Sequence, residues 1–162
     1  YRAGRGTRLP SPVDVAAYAI ARMPATYAAC AHALAEASVR ADFMPRSMLD
    51  IGAGPGTATW AAAETFPTIE AVRRVDGHAG MTSVGKRLAA GASAPLAAAE
   101  WVTADLAGLP ANVRADLVVA SYALNEMPGD KVARVAADLY GRAGGLLILV
   151  EPGSRAGFAV IA

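Results

Sequence analysis

The chain is poor in the residues that carry much of protein reactivity: of its 162 residues, one is cysteine and two are histidine. A single thiol, Cys30, excludes an internal disulfide framework and cannot hold a metal cluster by itself. Cys30 is therefore expected in the core, and a reducing cytoplasm is the natural compartment. His32 and His78 pair with no nucleophile at a recognisable spacing, and no hydrolase or metal-site motif appears. His78 is expected to face solvent at a helix start, and His32 to be a surface or semi-buried residue of a helix. Long hydrophobic runs are missing too: the best, from Gly144 to Val150, falls far short of the roughly 20 apolar residues that a membrane helix needs, and no signal peptide is recognisable. Neither sign of charge dominates. The formal net charge is +1 and the pI about 8.1, so no global field points to nucleic acid or membrane. The local exception is Arg2, Arg5 and Arg8 among Gly4, Gly6 and Thr7, a composition that suits either a solvated leader or an RNA-contacting arm.

What is abundant is apolar side chain, 54% of the chain, enough to bury one ordinary core. The expected organisation is an arm and helical extension over 1–45, followed by an α/β core over 46–162. Starting at Tyr1 and stopping in an apolar stretch at Ala162, the chain is expected to be a fragment of a longer protein. Its alanine, glycine and arginine usage suggests a GC-rich bacterial genome. Helical spacing of apolar residues predicts two helices, Pro12 to about Ala21 and Pro24 to about Arg40, each opened by a proline. After Pro45 the pattern changes to short apolar runs alternating with alanine-rich helices, the signature of βαβ units around a buried parallel sheet. The predicted strands are 47–51, 71–75, 100–104, 117–121 and 146–150. The predicted helices are 57–65, 79–90 and 130–142, and Asp105 to Ala115, which holds Pro110, is a loop or single turn. Right-handed crossovers then give a doubly wound, mostly parallel sheet with a crevice at the carboxyl ends of its strands.

Directly after the first strand stands Asp50-Ile51-Gly52-Ala53-Gly54-Pro55-Gly56-Thr57. Glycines at a spacing of two let the backbone turn tightly and approach a ligand with no Cβ in the way, and the helix from Thr57 turns its free N–H groups towards the same place. A dinucleotide loop would be G-x-G-x-x-G, with its third glycine where this chain has Thr57. The loop instead matches S-adenosylmethionine-binding folds, whose ligand has no pyrophosphate to seat on the helix. The expected cofactor contacts here are Asp50, Gly52, Ala53, Gly54 and Gly56, with Asp50 reaching the ligand ammonium group through the loop. Asp76, closing the second strand, is placed to take both ribose hydroxyls, unless it serves as a helix cap. Met81 either covers the adenine or packs in the core. Asp105 and Leu106 offer a carboxylate for the adenine amine and an apolar wall, unless Asp105 is a turn residue. Ser121 ends the fourth strand at the crevice, and Tyr122 and Asn125 are the candidates on the methyl-acceptor side. Glu126 is expected to be an exposed acid. S-adenosylhomocysteine would be the product, and no metal is expected in this segment.

Three further stretches carry a resemblance: Ala19-Ile20-Ala21-Arg22-Met23-Pro24-Ala25-Thr26-Tyr27-Ala28, Val119-Ala120-Ser121-Tyr122-Ala123-Leu124-Asn125-Glu126-Met127-Pro128, and Leu149-Val150-Glu151-Pro152-Gly153-Ser154-Arg155-Ala156-Gly157-Phe158. Together with the glycine loop they resemble bacterial relatives of the mitochondrial small-ribosomal-subunit assembly family of the methyltransferase-like class, across nearly the whole chain. The resemblance implies a class I methyltransferase fold that acts on, or assembles, the small ribosomal subunit. It also implies a cysteine metal cluster in the longer members, beyond Ala162, which Cys30 does not match. The last antiparallel strands of a class I sheet are expected to be missing here.

Methyl transfer needs donor and acceptor held in line more than it needs a base. Amine methyltransferases commonly place a polar residue, two prolines and an aromatic after the fourth strand. Ser121-Tyr122-Ala123-Leu124 lacks those prolines, so N-methylation of adenine or cytosine has no warrant. Three functions fit: an RNA methyltransferase of the small subunit, a cofactor-binding assembly factor without turnover, and a small-molecule methyltransferase that uses the N-terminal helices as a lid.

Overall fold

The computed structural model describes residues 12–105, 109–110 and 112–161; the arginines of the arm and Leu106 lie outside these. The elements in chain order are α1 (Pro12–Arg40), β1 (Ser47–Ile51), α2 (Thr57–Thr65), β2 (Ala71–Asp76), α3 (Ala79–Ala89), α4 (Ala94–Ala97), β3 (Glu100–Thr103), β4 (Ala115–Ser121), a 3-10 turn (Leu124–Glu126), α5 (Gly129–Arg142), β5 (Ala143–Val150) and α6 (Arg155–Ile161). The described part of the expected 105–115 loop forms no helix or strand before β4 begins.

One expectation about the N-terminal region is corrected. The two helices are a single helix, with Pro24 in its interior. Proline has no N–H to offer the carbonyl of Ile20, but Ile20 and Pro24 both lie at the surface, where water can take its place. The flanking alanines favour carrying the helix through.

Five strands, all parallel, form one sheet in the order β3-β2-β1-β4-β5. Strand β1 is buried on both faces, and its side chains alternate between two cores. Met48 packs with Leu117 and Val119 of β4 beneath α1 and α2, joined by Cys30, Leu34, Ala58, Ala61, Ala62 and Phe66. Leu49 and Ile51 point the other way, to Val118, Ala120, Val132 and Leu139 under α5. The alanines of α2 let α1 approach closely, and Cys30 and Leu34, one turn apart on α1, are fully buried.

The amino-terminal edge of the sheet is tied down by polar anchors. Asp116 at the start of β4 accepts the backbone N–H groups of Arg46 (2.8 Å) and Ser47 (3.0 Å) at the start of β1. Those bonds, the Arg46 amide first, hold its carboxyl below the ordinary value. The buried Arg142, between α5 and β5, donates to the carbonyls of Leu109, Pro110 and Val113 and to Asp138. At the carboxyl edge the chain turns outward in opposite directions after β1 and β4. This is the topological switch point where ligands bind in open α/β sheets.

Candidate cofactor site

The loop after β1 depends on its glycines. Gly52, Gly54 and Gly56 have φ of +63°, +54° and +90°, the left-handed region that a Cβ disfavours. Space adds to the demand at two of them. A Cβ on Gly52 would stand 2.7 Å from the Ala123 Cβ, and one on Gly56 would stand 3.1 Å from Arg74 Nε. The loop is pinned to β2, with the Ala53 N–H donating to the Val75 carbonyl (3.0 Å) and the Gly54 N–H to Asp76 Oδ2 (2.8 Å). Helix α2 follows with Gly56 at its cap and no side-chain capping bond.

Asp76 is nine-tenths buried at the end of β2. Its second oxygen accepts the His78 N–H at 2.7 Å, so the carboxylate ties the glycine loop to the β2–α3 turn. Asp76 is not itself the cap residue of α3: that position is held by His78, whose own side chain makes no capping bond. Each carboxylate oxygen keeps a second lone pair for a ligand hydroxyl. His78 is half-buried, and its Nδ1 is shielded from solvent with no partner among the described residues, in contrast to the expected solvent-facing ring. His32 is exposed, as expected.

Asp50 lies beneath the loop, with no solvent exposure. Its Oδ2 accepts the Thr59 hydroxyl at 2.6 Å, while Oδ1 has no hydrogen-bond partner among the described residues. Desolvation pushes its carboxyl up to about 6, against the pull of the Thr59 hydrogen bond and the Arg74 charge. Any service Asp50 gives a ligand therefore passes through the loop above it. Met81 is half-buried in the first turn of α3, and Asp105 is exposed two residues beyond β3.

The turn after β4 forms the facing wall. Tyr122 is the one non-glycine among the described residues with a positive φ, +56°. Its N–H donates to the Val150 carbonyl at 2.7 Å, and its side chain packs on the core beneath α1. Burial pushes the Cys30 thiol up to about 11, with the Asp50 charge adding to the rise and Ser121 opposing it. Asn125 Nδ2 donates to Glu151 Oε2 (2.6 Å) and the Leu124 N–H to Oε1 (2.9 Å), so Glu151 fixes the whole turn from the end of β5. Glu126 is exposed, and its carboxyl is raised by partial desolvation first; His78 lowers it, whereas Asp76 and Glu151 add to the rise.

The structure thus brings Asp50, the glycines, Asp76, Ser121, Tyr122 and Asn125 to one end of the sheet. Glu151 and Arg74 were not singled out as site residues. A carboxylate at the carboxyl end of the strand beside β4 was the available signal for Glu151; for Arg74 there was none, because its partners are distant in sequence. Among the described residues no group of His, Cys, Asp and Glu could hold a metal ion, and no helix is long and apolar enough to cross a membrane.

Solved structures share this architecture. The sugar N-methyltransferase of a Streptoalloteichus species superposes with a TM-score of 0.67 at 19% identity, over 92% of this chain and 57% of that one. The magnesium protoporphyrin IX methyltransferase of Synechocystis, solved with S-adenosylmethionine bound, gives 0.60 at 18% identity, over 94% and 67%. At these identities the likeness establishes the fold, the Rossmann-like fold of methyltransferases. The human mitochondrial ribosome assembly protein METTL17 is 31% identical over 151 residues, which are 89% of this chain and 33% of the human protein. This chain thus spans about a third of its relative's length. Residues 12–162 match the family described as mitochondrial small ribosomal subunit Rsm22, and the chain belongs to that family.

Proposed function

We propose that this chain is the S-adenosylmethionine-binding domain of a methyltransferase or methyltransferase-like protein that works on the small ribosomal subunit, with RNA as the methyl acceptor. The observation that carries the reading is the Asp76 carboxylate, which ends β2, accepts the Gly54 amide of the glycine loop and keeps a lone pair on each oxygen for a ribose hydroxyl. The cradle suits such a ligand. Three left-handed glycines leave room on the loop for a ligand, and Asp50 behind it has an oxygen with no partner among the described residues. Asp76 would hold the ribose hydroxyls, the backbone of Gly52 to Gly56 the amino-acid portion, and Asp105, Met81 and Leu106 the adenine. S-adenosylmethionine supplies a methyl group on a positively charged sulfur. The chain's part is to orient the acceptor at the Ser121 to Asn125 turn and to keep water out.

A second reading, cofactor binding without turnover, draws on the same turn. Asn125 is held by Glu151 at 2.6 Å, so its side-chain amide is committed within the chain. The human relative, moreover, is named a ribosome assembly protein.

Calorimetric titration with S-adenosylmethionine and S-adenosylhomocysteine tests the common ground. Asp76→Ala should weaken binding by about 1.5–3 kcal/mol, the loss of hydrogen bonds to a charged group. No binding to the folded wild-type protein refutes both readings. Methyl incorporation into small-subunit RNA then separates them, and failure to bind small-subunit particles at low salt refutes the ribosomal assignment, because phosphate contacts are strongest there.

A further inference from the structure

Behind the glycine loop lies a charged group that the site described so far does not use. Arg74, in the middle of β2, has no solvent exposure, although a guanidinium this deep is costly unless it is fully paired. It is not fully paired. Nε donates to Thr59 Oγ1 at 3.1 Å, Nη1 reaches the Leu96 carbonyl at 3.4 Å, and Nη2 has no hydrogen-bond partner among the described residues. Its plane lies over the Trp101 ring, 4.5 Å from the centroid, which offsets part of the lost hydration. An apolar side chain of similar volume would serve stability at least as well. What distinguishes Arg74 is its neighbours.

The Thr59 hydroxyl has one proton, and at 2.6 Å it gives that proton to Asp50 Oδ2; it must therefore accept from Arg74. Carboxylate, hydroxyl and guanidinium form a single directed chain under the loop. The same guanidinium fills the space below Gly56, with Nε and Cζ 3.1 and 3.3 Å from where a Cβ would stand. We infer that Arg74 is a positioning residue for the cofactor loop: through Thr59 it holds the Asp50 carboxylate ionised and in place, and by packing under Gly56 it sets the last turn of the loop. This rests on the S-adenosylmethionine reading above, in which Asp50 attracts the ligand ammonium group.

The groups facing Asp50 define the electrostatics. Thr59 approaches from α2, Arg74 and Asp76 belong to β2, and Cys30 faces it from α1. Desolvation and Asp76 favour the protonated carboxyl, while Thr59 and Arg74 oppose them. Without the guanidinium, the first two act with less opposition. Asp50 then becomes neutral near neutral pH, and a neutral carboxyl does not attract an ammonium group.

Titration with S-adenosylhomocysteine across a pH series decides the matter, using wild type, Arg74→Met, Thr59→Val and Thr59→Ser, each checked for folding by circular dichroism. Wild-type affinity should fall as the pH drops through about 6, where Asp50 takes up its proton. Thr59→Ser keeps the hydroxyl and should match wild type. Thr59→Val and Arg74→Met should bind more weakly near neutrality, about twofold for the first unit by which they raise Asp50 and approaching tenfold for each further unit, and should recover as the pH rises. Loss of affinity equal at every pH, or no loss, overturns the inference. If Arg74→Met fails to fold, Thr59→Val, which keeps the stacked guanidinium, carries the test. A wild-type profile that stays flat below pH 6 also overturns it. If wild type binds no S-adenosylhomocysteine at any pH, the cofactor reading falls and takes this inference with it; binding by wild type with pH-independent variants removes this inference alone.

Discussion

Substituting alanine at Gly52 and at Gly54 separates backbone strain from crowding. The two glycines have nearly the same φ, +63° and +54°, but only Gly52 has a neighbour in the way, the Ala123 Cβ at 2.7 Å; nothing lies within 4 Å at Gly54. Alanine in the left-handed region costs roughly 1–2 kcal/mol. Losing a flexible glycine from the unfolded chain returns about 0.4–1 kcal/mol. Gly54→Ala should therefore destabilise by about 1 kcal/mol in net. Gly52→Ala carries the same terms plus overpacking of about 1–3 kcal/mol, for a total of roughly 2–4 kcal/mol. The second site supplies the control. Ala123 has ordinary helical angles, φ −95° and ψ −37°, so Ala123→Gly alone should cost about 0.5–1 kcal/mol. In the double variant, however, it removes the atom that Gly52→Ala strikes. Urea unfolding of the two single variants and the double should give a favourable coupling of about 1–2 kcal/mol. Equal destabilisation at Gly52 and Gly54, or strict additivity with Ala123→Gly, would refute the claim that the loop is pressed against the turn after β4.

Three other outcomes follow from the structure. Arg142→Met leaves the carbonyls of Leu109, Pro110 and Val113 without their donor and should lower stability by roughly 1–3 kcal/mol in urea unfolding, the cost of buried acceptors left unsatisfied. Asp116 has a folded pKa below the ordinary aspartate value of 3.8, so its stabilisation is present above that pH and is lost as the pH falls through the lower folded value; Asp116→Asn should flatten the stability profile below pH 3.8, as followed by thermal unfolding. At Tyr122 the usual order of glycine and alanine should invert, Tyr122→Gly being more stable than Tyr122→Ala by about 1 kcal/mol because only alanine keeps the cost of φ +56°.

Much of this architecture was legible because local signals agreed. Strand β1 and helix α2 have the expected bounds: an apolar run, three loop glycines and an alanine-rich segment all place the boundaries alike. Strand β5 begins three residues before the expected Leu146, at Ala143. Glycine does not announce a strand, and what accommodates Gly145 there is the ring of Phe43, a hundred residues earlier, which occupies the space of its missing side chain. Pro24 misled because a proline signal is local, whereas helix continuity depends on what surrounds the freed carbonyl. Arg74 was illegible for the same reason. In an apolar strand it reads only as a charge, and the Thr59 hydroxyl and Trp101 ring that give it meaning come from α2 and β3.

The two edges of the sheet have been given opposite tasks, and this tells structural from functional effects. Asp116 and Arg142 act at the amino-terminal edge, where each satisfies backbone groups of several elements and relieves rather than creates strain. At the carboxyl edge the local rules are broken together: three left-handed glycines, a left-handed tyrosine, and a buried carboxylate and guanidinium that each keep an unpartnered atom. Such departures persist only where the surrounding structure over-determines them, and here Asp76 and Val75 hold the loop while Glu151 and Val150 hold the turn. Changes at Arg142 and Asp116 should therefore lower stability while leaving the ligand affinity of the folded protein intact. Changes at Gly52, Arg74 and Tyr122 should move ligand affinity as well as stability, because they alter the loop and the turn on which a ligand would rest.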